Sequence, residues 1–173
     1  AGNPISIVDP TGCFVLKNIS SGTYYAVIAV FPDNPKASNG DPEAIKDAYA
    51  PLNDHNAPIM HVSNVEDYAN AMTALSNMGS VTSSYIITSH GKPGSFYIGS
   101  EQIGFYTNVS SLRPGLSTKN VVINACSTGD GSNGSGGDLL VEVFAEETNS
   151  TVVASTTDLN ANYSYDGSKM ATP

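Results

Sequence analysis

Five short apolar runs, rich in β-branched residues and separated by helix-like stretches, constrain this chain more than anything else in it. They are "YAVIAVF" (residues 25–31), "PIMHV" (58–62), "YIIT" (85–88), "VVINA" (121–125) and "TVVAS" (151–155). Most are continuously apolar rather than alternating, the pattern of strands buried on both faces. Strands that alternate with helices form βαβ crossovers, and therefore a mostly parallel sheet covered by helices.

The intervening stretches carry helix signals. "DPEAIKDAYAPL" (41–52) opens with Asp41 as an N-cap and a proline at the first helical position. "SNVEDYANAMTALSNMG" (63–79) has Ser63 and Glu66 spaced as a capping box, an apolar face of Val65, Tyr68, Ala69, Met72 and Leu75, and Gly79 as a stop. "DLLVEVFAEET" (138–148) takes Asp138 as its cap, with Leu140, Val143, Phe144 and Glu147 at helical spacing. "SFYIGSEQIGFY" (95–106) breaks the alternation and reads as a hairpin turning at Gly99 and Ser100. The expected architecture is α/β: a central sheet of about five strands, mostly parallel, plus a hairpin. Residues 1–22 read as a turn-rich end of a preceding unit and linker, and 23–173 as the domain; the tail after Asp158 reads as polar and aperiodic.

A chain of 173 residues supports one sizeable core. Its 16 acids against 7 bases give a net charge of −9, which argues against a phosphate-tracking surface and nucleic acid as partner. No apolar run approaches the roughly 20 residues of a membrane span. Two cysteines, Cys13 and Cys126, are too few for a disulfide scaffold. No spacing among His, Cys and acidic residues suggests a metal site, and His55 and His61 read as structural or solvated. The abrupt start "AGNPIS" suggests a piece of something larger.

In an open parallel sheet, ligands bind beyond the carboxyl ends of the strands. His90 follows the third apolar run and Cys126 follows the fourth. Neighbouring strands lie about 4.8 Å apart, so side chains at two such ends can meet on one substrate. A thiolate attacks a carbonyl, and an imidazole takes the thiol proton and returns it to the leaving amine. Gly91, without a side chain, lets the backbone approach the oxyanion, and the Cys126 N–H supplies a second donor.

"IITSHG" followed by a hairpin and then "VVINACSTG" resembles the caspase-like cysteine proteases of clan CD, a group that includes caspases, gingipains, clostripain-like enzymes and CHAT-type proteases. "GGDLLVEVFAEETNSTVVAS" also resembles the helix and strand after the nucleophile in the CHAT-like members. The resemblance implies a caspase-like αβα sandwich, a His90–Cys126 dyad, an oxyanion hole from the Gly91 and Cys126 amides, a protein substrate, and no metal or organic cofactor. It also implies an acidic pocket residue that selects Arg or Lys; Asp158, Glu101 and Asp130 are the three candidates. Asn124 stands where caspases usually carry Gln and many relatives carry Asp.

"GNPISIVDPTG" (2–12) resembles the close of the Rhs/YD-repeat core, "NPxxxxDPxG", beyond which such proteins carry a toxin domain. That implies an Rhs shell as carrier, an immunity protein in the producing cell, delivery into the cytosol of a target cell, and self-cleavage near Cys13, where Leu is usual. Two other readings compete. One is a caspase-like fold that binds a target protein without catalysis. The other is a dinucleotide-binding oxidoreductase, because "GDGSNG" (129–134) is G-x-G-x-x-G between a strand and a helix, with Asp158 after the next strand. Against the latter, the glycines start three residues after Cys126, the third is followed by "SGG", and no second half follows. The stretch reads better as a loop beside the nucleophile that is reshaped on substrate binding.

Overall fold

The computed structural model describes residues 5–8, 15–19, 22–24, 27–31, 59–88, 91–99, 101–159 and 167–173. Its strands are β1 (Ile5–Val8), β2 (Val15–Ile19), β3 (Gly22–Tyr24), β4 (Val27–Phe31), β5 (Ile59–His61), β6 (Gly79–Val81), β7 (Ser83–Thr88), β8 (Gly91–Lys92), β9 (Ser95–Ile98), β10 (Glu101–Gly104), β11 (Asn120–Asn124), β12 (Thr151–Ser155) and β13 (Ser168–Ala171). Helices are α1 (Val65–Met78), the single turn α2 (Arg113–Leu116) and α3 (Gly137–Thr148). The expected helix over 41–52 lies outside the described residues.

All five apolar runs enter one sheet, in the order β13-β12-β11-β7-β4-β5. Every neighbouring pair is parallel except β12 with β13. The chain is therefore α/β with a mostly parallel sheet. From β4 the chain moves to one edge (β5), then returns past β4 to β7 and continues to β11 and β12. The order thus reverses between β4 and β7, where an α/β sheet opens a crevice at its carboxyl end. The two connections that carry α1 and α3 run in the same direction along the sheet. Right-handed crossovers then put both helices on one face, and the turn α2 touches each of them.

The core gathers Tyr68, Met72 and Leu75 of α1, Ile86 of β7, Val121 and Ile123 of β11, Phe144 of α3 and Val152 of β12, all within 1 % of full burial. Burying side chains of this size stabilises the fold by about 1.5–3 kcal/mol each. Phe96 of β9 packs on Phe144 with ring centroids 6.1 Å apart, which fastens the hairpin region to α3. Burial on β11 continues to its last residue, Asn124.

Four local expectations need correction. The box at the start of α1 is shifted by one residue: Asp67 N–H donates to Asn64 Oδ1 (2.8 Å), and Ser63 N–H donates to Asp67 Oδ2 (3.2 Å). The cap of α3 is Gly136, at φ +88°, rather than Asp138, which sits in the first turn and pairs with Lys169 Nζ at 3.1 Å. The tail is not aperiodic throughout, since β13 adds a sixth, antiparallel strand to the sheet. Finally, residues 1–22, read as turn-rich, include two short strands that pair antiparallel, β1 and β2.

The hairpin is where the sequence put it. β9 and β10 pair antiparallel with Ile98 opposite Glu101, so the connection is Gly99-Ser100. β8 adds to the other side of β9, with Gly91 opposite Phe96. Gly99 has φ +60°, and a Cβ there would collide with the Ser63 carbonyl. The hairpin tip is thus wedged against the start of α1, where Glu101 accepts from Val65 N–H at 2.9 Å.

Candidate active site

Beyond Asn124 the chain leaves the sheet through buried Ala125 into a tight turn that carries Cys126, a partly buried free thiol. Ser127 takes φ +52°, a left-handed backbone that non-glycine residues seldom adopt and that persists only where the surroundings enforce it. The enforcing contacts come from the turn and both flanks. Within the turn, Asp130 N–H donates to Ser127 O (2.9 Å) and Thr128 Oγ1 to Cys126 O (3.5 Å).

On one flank stands the segment that follows β7. β7 is the parallel neighbour of β11, with Ile87 opposite Asn124, so the two strands end side by side. Gly91 lies against the turn: a Cβ there would meet Thr128 Oγ1 at 2.6 Å and Ala125 Cβ and Cys126 O each at 2.7 Å. Gly94 N–H donates to Thr128 O at 3.1 Å. His90 directly precedes Gly91 in the chain and lies outside the described residues.

On the other flank stands the segment leaving β12. Gly129 N–H donates to Ser155 O (2.7 Å) and Ser127 N–H to Thr157 O (2.9 Å). Ser127 Oγ donates to Asp158 Oδ1 at 2.8 Å, and Leu159 N–H donates to Cys126 Sγ at 3.4 Å.

The three candidate pocket acids separate. Asp158, exposed, is hydrogen-bonded to the residue next to Cys126. Glu101 serves the N-terminus of α1. Asp130 bonds within its own loop, accepting from Ser132 N–H (2.8 Å) and Ser132 Oγ (3.0 Å). Ser127, Thr128 and the Leu159 amide are site components that sequence reasoning missed; the one trace of them was Asp158 standing just after the strand that neighbours the cysteine strand.

The glycine-rich loop does not behave as a dinucleotide fingerprint. Its third glycine should pack a helix tightly on a strand. A Cβ on Gly134 would instead meet nothing within 4 Å, and the close packing falls to Gly137, against the backbone of Asp130. Among the described residues no group of three or more His, Cys, Asp or Glu could hold a metal ion. No described helix is long and apolar enough to cross a membrane.

Chemically, the arrangement offers a thiol at the carboxyl end of a central strand and a side-chain-free backbone packed on the thiol's own turn. An exposed carboxylate is bonded to the residue beside that thiol. Comparison with protein-family models, with curated proteins and with solved structures finds no match to this chain.

Proposed function

We propose that this chain is a caspase-like cysteine endopeptidase with Cys126 as nucleophile and His90 as general base and acid. His90 takes the Sγ proton, and the sulfur bonds to the substrate carbonyl carbon. The oxyanion is held by the N–H groups of Gly91 and Cys126. Protonated His90 then gives its proton to the leaving amine, leaving a thioester. Water, deprotonated by His90, attacks that thioester, and the acid product leaves as the thiol is restored.

The observation that carries this reading is the apposition of Gly91 to the Cys126 turn, which tolerates no side chain at position 91. A buried cysteine with a purely packing role gives no reason for a neighbouring strand's extension to press bare backbone on its carbonyl. The adjacency of β7 and β11, and the reversal of strand order beside them, support it further. Asp158 is the pocket acid in this reading, and it favours Arg or Lys before the scissile bond. With the Rhs-like "GNPISIVDPTG", the peptidase is a toxin domain carried by an Rhs shell, neutralised in the producer by an immunity protein and active in a target cell's cytosol.

The test is digestion of an unbiased peptide library, mapped by mass spectrometry beside Cys126→Ala and His90→Ala. Cuts after basic residues that vanish in both variants are expected. Cuts that survive Cys126→Ala, or toxicity that survives it in a target cell, would overturn the reading.

A further inference from the structure

The contacts on the β12 side of the turn do more than close a loop. Four hydrogen bonds run between residues 126–129 and 155–159, and two of them involve side chains of the site: Ser127 Oγ to Asp158 Oδ1, and Leu159 N–H to Cys126 Sγ. Asp158 and Leu159 are adjacent, so whatever fixes the one carboxylate fixes the amide beside it. That amide is the donor on the sulfur.

We propose that Ser127 and Asp158 form a positioning pair whose hydrogen bond holds the Leu159 N–H on the Cys126 sulfur and so fixes the orientation from which the thiol reacts. The proposal rests on reading Cys126 as the nucleophile. A thiol free to rotate spends only part of its time facing an electrophile, whereas one held in a single rotamer meets it in a constant geometry. The pair itself touches no reacting atom. Ser127 serves twice, since its left-handed backbone turns the hydroxyl and the N–H toward the same strand extension: the N–H reaches Thr157 and the hydroxyl Asp158.

The experiment follows alkylation of Cys126 by iodoacetamide in the folded full chain, read by mass spectrometry on the peptide that contains it, so that Cys13 does not contribute. Ser127→Gly is the cleaner variant, because φ +52° suits glycine and the hydroxyl is removed, with its methylene, at no backbone strain. Ser127→Gly and Asp158→Ala should each slow alkylation about threefold to tenfold, the scale of one hydrogen bond. Both break the same bond, so the double variant should be no slower than either single one by more than about twofold. Asp158→Asn keeps an acceptor oxygen and should recover most of the rate that Asp158→Ala loses.

Unchanged rates in folded Ser127→Gly would overturn the proposal, as would faster ones, which would make the 157–159 segment a cover over the thiol. The outcomes separate from those of the peptidase reading. The expected alkylation ratios without any peptide cleavage would remove the peptidase and leave the pair; cleavage with unchanged ratios would do the reverse.

Discussion

The backbone of Gly91 passes so near the carbonyl of Cys126 that a methyl group on it would sit 2.7 Å from that oxygen. Two stretches far apart in the sequence are joined there without a side chain between them. Backbone contact of this kind is intolerant in a way that side-chain packing is not.

Gly91→Ala should therefore injure the site before it injures the fold. The added carbon meets a carbonyl oxygen and an alanine Cβ fixed to the backbone, and the hydroxyl of Thr128, whose fully buried side chain has little room to turn. Forcing it in should cost about 1–3 kcal/mol. Peptide cleavage and the alkylation of Cys126 should both fall by more than the melting shift alone accounts for, which activity assays at a temperature well below the melting point will show.

Gly99→Ala provides the contrast. Its φ of +60° and the Ser63 carbonyl standing where a Cβ would go both oppose a side chain. The loss should exceed about 2 kcal/mol in denaturant unfolding. The damage lies at the contact between the hairpin tip and α1, so the alkylation rate of the molecules that remain folded should stay near wild type.

The charge of Asp158 should be readable apart from its hydrogen bond. A carboxylate hydrogen-bonded to the residue beside the thiol repels anionic reagents and draws cationic ones. Asp158→Asn should therefore speed alkylation by iodoacetate relative to iodoacetamide, and weaken any preference for Arg or Lys before the cut. In wild type, added salt should move the ratio of the two rates toward the variant's value, while the variant's own ratio changes little.

Tyr68 gives a pH-dependent prediction. Its hydroxyl is buried against Ser84 Oγ at 2.6 Å, and burial pushes its ionisation well above the usual tyrosine value, with the Ser84 bond opposing weakly. Below a pH of about 10, where an unfolded tyrosine begins to ionise, both states are neutral and the contribution is complete. Above it only the unfolded chain loses the proton, so stability falls by up to about 1.4 kcal/mol per pH unit. Tyr68→Phe should cost about 1–3 kcal/mol at neutral pH by stranding Ser84, and its gap to wild type should narrow as pH rises past that point. Urea unfolding at several alkaline pH values measures both.

What the sequence made legible was local. The apolar runs that became β4, β5, β7, β11 and β12 were readable because a strand buried on both faces shows its burial in every residue. β13 was not: "SKMA" lies at the edge of the sheet with exposed Ser168 and Met170, so it carries no apolar signature. The cap of α1 was ambiguous because Ser63 and Asn64 are both good caps and Glu66 and Asp67 are both acids. The register follows from tertiary contacts, with Gly99 against Ser63 and Glu101 on Val65 N–H. The three candidate acids were equivalent in one dimension for the same reason. Only the pairing of β11 with β12 brings the chain after Ser155 alongside Cys126, and that pairing singles out Asp158. His90 lies outside the described residues, so its half of the dyad remains the sequence's own expectation.

The grip on the Cys126 turn has a consequence for how the molecule comes into being. The turn is held from Gly94 upstream and from Leu159 downstream, the latter 33 residues away. Contacts so distant along the chain are closed at an entropic cost that local helices do not bear, and they form after much of the local structure is in place. A partly synthesised chain therefore already carries the thiol but not the geometry around it. The geometry on which the proposed chemistry depends thus arrives only with the last long-range pairings.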